Sequence, residues 1–141
     1  MYLLNISEGP FLSLHGLYII GKRAPERTTA QYIADKLNGS RAHVAKIFQR
    51  LAKRGVVKSY CGPAGGFTLI EKAKKLSLLE ILEKSGENVL HSDCPFNRDD
   101  CPFEECILSD KIHDLSDELY NEFKNTTLQD LLDEDKNAGI I

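Results

Sequence analysis

Apolar residues recur every third or fourth position through most of this chain, and the breaks in that rhythm mark its turns. Behind Thr29, the residues Tyr32, Ile33 and Leu37 are spaced as on one helix, predicted to end near Asn38-Gly39, where glycine supplies the turn. Ser40 is a suitable N-cap for a second helix over 41–54, with Val44, Ile47, Phe48 and Leu51 at i, i+3, i+4 and i+7 as a single apolar stripe. Its opposite face carries Ala42, Lys46, Gln49 and Lys53, flanked by His43 and Arg50. A helix buried on one side, basic on the other and entered through a tight turn from a shorter helix is the pattern of a helix-turn-helix.

The rhythm then changes to that of strands. After Gly55, residues 56–60 read as a strand, Gly62-Pro63-Ala64-Gly65-Gly66 is turn chemistry, and residues 67–70 read as the returning strand. A hairpin placed directly after a recognition helix is a wing. The predicted fold is therefore mostly α with a small β-hairpin: a winged helix-turn-helix domain followed by a cysteine loop and a long C-terminal dimerisation helix. The plainer alternative, the same helices and hairpin binding a protein, is disfavoured by the basic face.

Elsewhere the pattern is simpler. Ser7-Glu8-Gly9-Pro10 reads as a helix start, and Phe11, Leu14, Leu17 and Tyr18 give a buried helix over 11–20 with His15 at the core edge. Residues 22–27 are a polar loop and 71–75 a basic connector, after which Ser77 caps a helix over 78–83 with Leu78, Leu79 and Leu82 on its apolar face; Gly86 stops it. Residues 88–106 lack periodicity and form a long loop. From Cys106 onward Leu108, Ile112, Leu115, Leu119 and Phe123 follow in steps of 4, 3, 4 and 4 among acidic residues. Such a stripe cannot bury itself alone: it either covers the N-terminal domain or pairs with its copy, and the helix-turn-helix half, which needs paired half-sites, favours the homodimer. Leu128, Leu131 and Leu132 suggest a short last helix, with residues 133–141 frayed.

Charge sharpens this division. The net charge is only −3, yet residues 1–75 hold 13 Lys and Arg against 4 Asp and Glu, and residues 76–141 hold 5 against 17. A first half at +9 beside a second half at −12 places the polyanion partner, double-stranded DNA, on residues 1–75, the winged domain. Residues 76–141 then hold the loop and the dimerisation helix. No apolar run is long enough to span a bilayer and no basic segment precedes an apolar one at the start, so a cytoplasmic protein without a membrane partner is expected. Phosphate loops, nucleophile elbows and His-Glu-x-x-His are absent, and the pairs Asp99/Asp100 and Glu104/Glu105 read as a solvated loop, so the chain is not expected to be an enzyme.

DNA contacts are assigned accordingly to Ser40, Arg41, His43, Lys46, Gln49, Arg50 and Lys53 on the recognition helix and to Lys58, Gly65 and Gly66 on the wing. The dimer is assigned to Leu108, Ile112, Leu115, Leu119 and Phe123.

Three of the four cysteines, Cys94, Cys101 and Cys106, fall in one segment with the spacing C-x6-C-x4-C and a repeated Cys-Pro-Phe. Clustered thiols without a secretory context point to metal or redox chemistry. An iron-sulfur cluster takes thiolates as its usual donors; zinc could be completed by His113 or His91, although neither gap has the spacing of a zinc ribbon; the third reading is a loop of ordinary cysteines. His113 follows Cys106 by seven residues on the predicted helix, about two turns or roughly 10 Å along its axis. Cys61 stands apart and reads as an exposed spectator, with a redox-reactive thiol as the alternative.

The order of helix, helix-turn-helix, wing with Gly62-Pro63-Ala64-Gly65-Gly66-Phe67, Leu-rich short helix, three-cysteine loop and long helix resembles the Rrf-two family of bacterial transcriptional regulators over nearly the whole chain. The resemblance implies a homodimeric regulator in which each loop holds a [2Fe-2S] or [4Fe-4S] cluster through Cys94, Cys101 and Cys106. It also implies a fourth ligand in Glu8, which aligns with an acidic position near the start of the first helix that serves some members and could reach the partner's loop in a dimer. The competing functional reading is a zinc-stabilised or metal-free constitutive winged-helix protein.

Overall fold

A computed structural model describes residues 7–87, 94, 100–108 and 110–134 of the chain. Helix α1 (Glu8–Arg23) is longer than its apolar pattern, because Lys22 and Arg23 suit the negative end of the helix dipole and carry the last turn into the polar segment. Its His15 is exposed rather than at a core edge, with Nδ1 2.8 Å from the Phe11 carbonyl oxygen. Helix α2 (Ala30–Leu37) is capped by Thr29, whose hydroxyl oxygen accepts the Tyr32 N–H at 3.1 Å.

The turn into the next helix differs from expectation. Asn38, not Gly39, adopts the left-handed conformation, with φ 52°, as the short amide side chain of asparagine allows. Gly39 serves a different need: a Cβ there would stand 2.9 Å from Leu12 Cδ2, so the glycine lets α1 approach the turn. Helix α3 (Arg41–Lys53) follows, capped by the Ser40 hydroxyl, and its Val44, Ile47, Phe48 and Leu51 are wholly buried.

Strands β1 (Val57–Tyr60) and β2 (Gly66–Leu69) pair antiparallel, Val57 opposite Leu69 and Tyr60 opposite Gly66. Thr28 extends the hairpin: its N–H donates to the Phe67 carbonyl at 3.0 Å and its carbonyl accepts the Phe67 N–H at 2.8 Å, which joins the entry of α2 to the wing. The expected connector at Glu71–Lys75 is a single 3-10 turn that buries Ala73.

Helix α4 (Leu78–Ser85) opens with a reciprocal capping box between Ser77 and Glu80 and closes on Gly86 at φ 80°. It buries Leu78, Ile81 and Leu82, while Leu79 is only half-buried; Ile81 and not Leu79 completes the i, i+3, i+4 stripe. Helix α5 (Asp110–Asn125) starts later than predicted, with Asp110 placing its carboxylate at the positive end of the dipole, so Leu108 and Cys106 lie outside it. The two-turn separation of Cys106 and His113 along one helix therefore does not hold. Helix α6 (Leu128–Asp133) has its own capping box, Thr127 with Asp130.

The core is continuous from first helix to last. Leu12, Leu17 and Ile20 of α1, Ile33 of α2, the α3 stripe, Val56, Phe67, Ile81 and Leu128 form one buried cluster. Gly16 admits the Phe48 ring, since a Cβ at that position would lie 2.6 Å from Phe48 Cζ. Two main-chain bonds bring α6 back to the start of α4: Leu78 N–H to the Thr126 carbonyl at 2.9 Å and Leu128 N–H to the Leu76 carbonyl at 3.0 Å. Among the described residues no helix is long and apolar enough to cross a membrane. His91, most of the cysteine loop and residues 135–141 of the predicted fraying end lie outside the described residues.

Candidate nucleic-acid interface and cysteine segment

The buried stripe of α3 fixes which side chains it turns outward. Arg41, Ala42, Lys46, Gln49 and Lys53 are exposed together, with Ser40 at the helix entrance. The Ser40 oxygen accepts the His43 N–H at 3.4 Å, which leaves its own O–H to donate elsewhere. Lys46, Gln49 and Lys53 on one exposed helix face, with Arg41 at the helix start, can meet phosphates and a base edge.

Two of the sequence-assigned α3 residues turn elsewhere. His43 is half-buried between two carboxylates, Nδ1 3.8 Å from Glu8 Oε2 and Nε2 3.7 Å from Glu87 Oε1. Arg50 is directed inward: its Nη1 donates to the Ser85 carbonyl at 3.5 Å and lies over Gly86. Beside it Arg54 Nη1 donates to the carbonyls of Glu83 and Lys84 at 2.8 and 3.1 Å. Both guanidiniums thus occupy the negative end of the α4 dipole, and Arg54 adds a second donor to the Glu83 carbonyl, which also accepts the Gly86 N–H at 3.2 Å. Arg50 flanks the basic face by its spacing along α3, which carries no information about where α4 ends.

The wing is compact at its tip. Gly65 N–H donates to the Gly62 carbonyl at 2.9 Å, and a Cβ on Gly66, which has φ 126°, would stand 2.8 Å from the Thr28 carbonyl oxygen. The close approach of the Thr28 strand therefore demands glycine at 66. Lys58 is exposed, with Nζ 5.2 Å from the centre of the Tyr60 ring. Arg27, read from the sequence only as part of a polar loop, covers the same ring at 3.7 Å and donates through Nη1 to the Ala64 carbonyl at 3.0 Å. A hydrogen bond from Thr68, then the nearby charges of Lys58 and Arg27, hold the Tyr60 phenol below its usual range. No local periodicity could have announced a contact 37 residues apart.

None of the four cysteines is in a disulfide; Cys61, Cys101 and Cys106 are exposed and Cys94 is half-buried. Three thiols and the Glu8 carboxylate have the donor chemistry for an iron-sulfur centre. In this conformation they are not gathered: among the described residues no three His, Cys, Asp or Glu side chains stand close enough to hold a metal ion. His113 is half-buried on α5.

On α5, Ile112, Leu119 and Phe123 are half-buried and Leu115 is 53% exposed; Leu108 precedes the helix and is half-buried. Helix α5 packs on α4 yet buries no residue fully, so one apolar edge remains open. Phe103 and Ile107, just before it, are exposed as well.

Comparison with known proteins agrees with this arrangement. Residues 8–134 match the family model Rrf2, described as an iron-dependent transcriptional regulator. A candidate HTH-type transcriptional regulator of Aquifex aeolicus (strain VF5) is 34% identical over 95 residues, 65% of this chain and 66% of that protein. The HTH-type transcriptional regulator IscR of Escherichia coli O1:K1 / APEC is 29% identical over 100 residues, 71% of this chain and 62% of its own. The chain thus spans slightly less than two thirds of the length of these curated relatives. Among solved structures, CymR (YrzC), the global cysteine regulator of B. subtilis, superposes with a TM-score of 0.66 at 20% identity over 92% of this chain and 97% of its own. T. potens IscR gives 0.65 at 16% identity over 98% and 93%. These two likenesses show the fold.

Proposed function

The chain belongs to the Rrf2 family of transcriptional regulators, and from that premise we propose that it binds operator DNA as a homodimer and senses redox state, nitric oxide or iron-sulfur status through a cluster on its cysteine segment. The observation that carries the DNA reading is the outward face of α3, where Lys46, Gln49 and Lys53 are exposed opposite a fully buried stripe and beside a wing. Lys46 and Lys53 suit phosphates, and Gln49 suits an adenine edge. Ser40 and Arg41 add contacts at the helix entrance, and Lys58 with the close-packed Gly65-Gly66 tip brings the wing to the duplex. His43 and Arg50 are better suited to holding α3 against α1 and α4 than to touching DNA.

The dimer is proposed on the open edge of α5, Ile112, Leu115, Leu119 and Phe123, with Leu108 at its start. Cys94, Cys101 and Cys106 would hold the cluster with Glu8 as an oxygen donor, and a bound cluster would supply redox and diatomic-ligand chemistry. The residues that would convey its state are within the chain: Glu8 and Glu87 both stand at His43, on the first turn of α3. A cytoplasmic location follows from this role.

A metal-free or zinc-stabilised constitutive regulator is the second reading, favoured by the ungathered thiols. Anaerobically purified protein separates the two, because a cluster absorbs visible light and zinc does not. Duplex binding tests the common part: it should weaken steeply between about 50 and 200 mM salt, as several phosphate contacts require. Lys46→Ala should flatten that dependence, whereas Gln49→Ala should act at one base position. Salt-independent binding, or none, would overturn the DNA reading.

A further inference from the structure

The base of the wing holds two cations that recognition by α3 does not use. Arg27 comes from the segment between α1 and α2, and Lys58 from β1; both face the ring of Tyr60, at 3.7 and 5.2 Å from its centre. No carboxylate among the described residues pairs with either side chain, and both are exposed. Two exposed cations held at one ring with no carboxylate partner among the described residues concentrate positive charge there, which favours an anion beside them.

Arg27 is held in place without being consumed. One N–H donates to the Ala64 carbonyl at the wing tip at 3.0 Å, and the guanidinium plane is seated on the ring, which leaves further N–H groups directed to solvent. The next residue, Thr28, is bonded in both directions to Phe67 on β2, so the main chain that carries Arg27 is fixed to the wing itself. Tyr60 is oriented in turn by the Thr68 hydroxyl at 3.4 Å.

Resting on the DNA-binding reading above, we infer that Arg27 and Lys58, seated on Tyr60, form a second anion site that takes a backbone phosphate of duplex DNA. A planar, pre-positioned guanidinium binds a phosphate with two parallel N–H bonds, and the lysine adds a point charge. Because Arg27 also grips the wing tip, phosphate binding and wing position are one event. The site reads no sequence; it sets how the wing lies on the duplex.

The test is the salt dependence of binding to a mixed-sequence DNA duplex by full-length protein carrying Arg27→Ala, Arg27→Lys, Lys58→Ala, Tyr60→Phe or Lys46→Ala. Each neutralised phosphate contributes about 0.9 to the slope of log K against log salt. Arg27→Ala and Lys58→Ala should each lower the slope by about that amount; Arg27→Lys should keep the slope but bind more weakly, and Tyr60→Phe should behave as wild type. If Arg27→Ala and Lys58→Ala keep the wild-type slope while Lys46→Ala lowers it, this site is wrong and the role of α3 stands. Binding without salt dependence in the wild type would remove both. A melting temperature that falls in Arg27→Ala while its slope is unchanged would make Arg27 a brace alone and overturn the inference; Arg27→Lys, if it melts as wild type, provides the slope free of that effect.

Discussion

The guanidinium of Arg54, at the end of α3, donates to the Glu83 carbonyl at 2.8 Å and so fastens α3 to the last turn of α4. A second bond from the same nitrogen reaches Lys84 at 3.1 Å. Both charged bonds to the last turn of α4 should be lost together in Arg54→Ala, at a cost of about 1 kcal/mol given the exposure of this residue and the Gly86 N–H that remains on the Glu83 carbonyl. Urea unfolding of the variant measures it; an unchanged midpoint would show that water replaces the guanidinium without loss.

Gly16 is the point where α1 yields to α3. A methyl group there would meet Phe48 Cζ at 2.6 Å and Ile33 Cγ2 at 3.2 Å, both in the buried core. Gly16→Ala should therefore destabilise by about 1 to 3 kcal/mol, the range for an overpacked interior, despite the better helix propensity of alanine. Thermal melting checks the sign: a stabilised variant would mean that the Phe48 ring has room to tilt.

Leu115 offers the simplest probe of self-association. It is 53% exposed on the single chain, on the edge of α5 proposed to pair with its copy. In Leu115→Asp a carboxylate would be buried at that seam without a partner, and the dimer should weaken by several kcal/mol, roughly a hundredfold or more in dissociation constant. Sedimentation equilibrium reads this, and an unperturbed dimer would move the interface off α5.

The cysteines give an internal control. Replacing Cys94, Cys101 or Cys106 by serine should abolish the visible absorption of anaerobically purified protein, whereas Cys61→Ser, altering an exposed thiol on the wing, should leave it intact. Glu8→Ala should shift that spectrum without unfolding the apo-protein. Equal colour in all five proteins would dismiss the proposed ligand set.

What the sequence disclosed and what it withheld follow from range. Thr29, Ser40 and Ser77 each accept the N–H three residues on, and Gly86 ends α4 in the left-handed region; these signals act within one turn and were legible residue by residue. The buried stripe of α3 was legible for the same reason, since its period is local. Asn38 was missed because both members of an Asn-Gly pair can take a positive φ, and only the proximity of Leu12 to Gly39 decides between them. The inward turn of Arg50 and the reach of Arg27 depend on elements 35 and 37 residues away. Periodicity also carried the α5 pattern back across Leu108, although the helix begins at Asp110.

The pair of main-chain bonds joining Leu76 and Leu78 to Leu128 and Thr126 has an architectural consequence. They close a noose: the chain enters α4 and comes home at Thr126 within one hydrogen bond of where it set out, with Leu128 as the knot sunk in the interior. The connection from α4 to α5 can change length at small cost, because doubling a loop whose ends are already pinned adds only about 0.6 kcal/mol of closure entropy. Cutting the noose is another matter, since a chain ended before Leu128 would leave a hole beneath α1 and α4. The segment between α4 and α5 is thereby free to vary in length, while the core beneath α1 depends on the rope being tied.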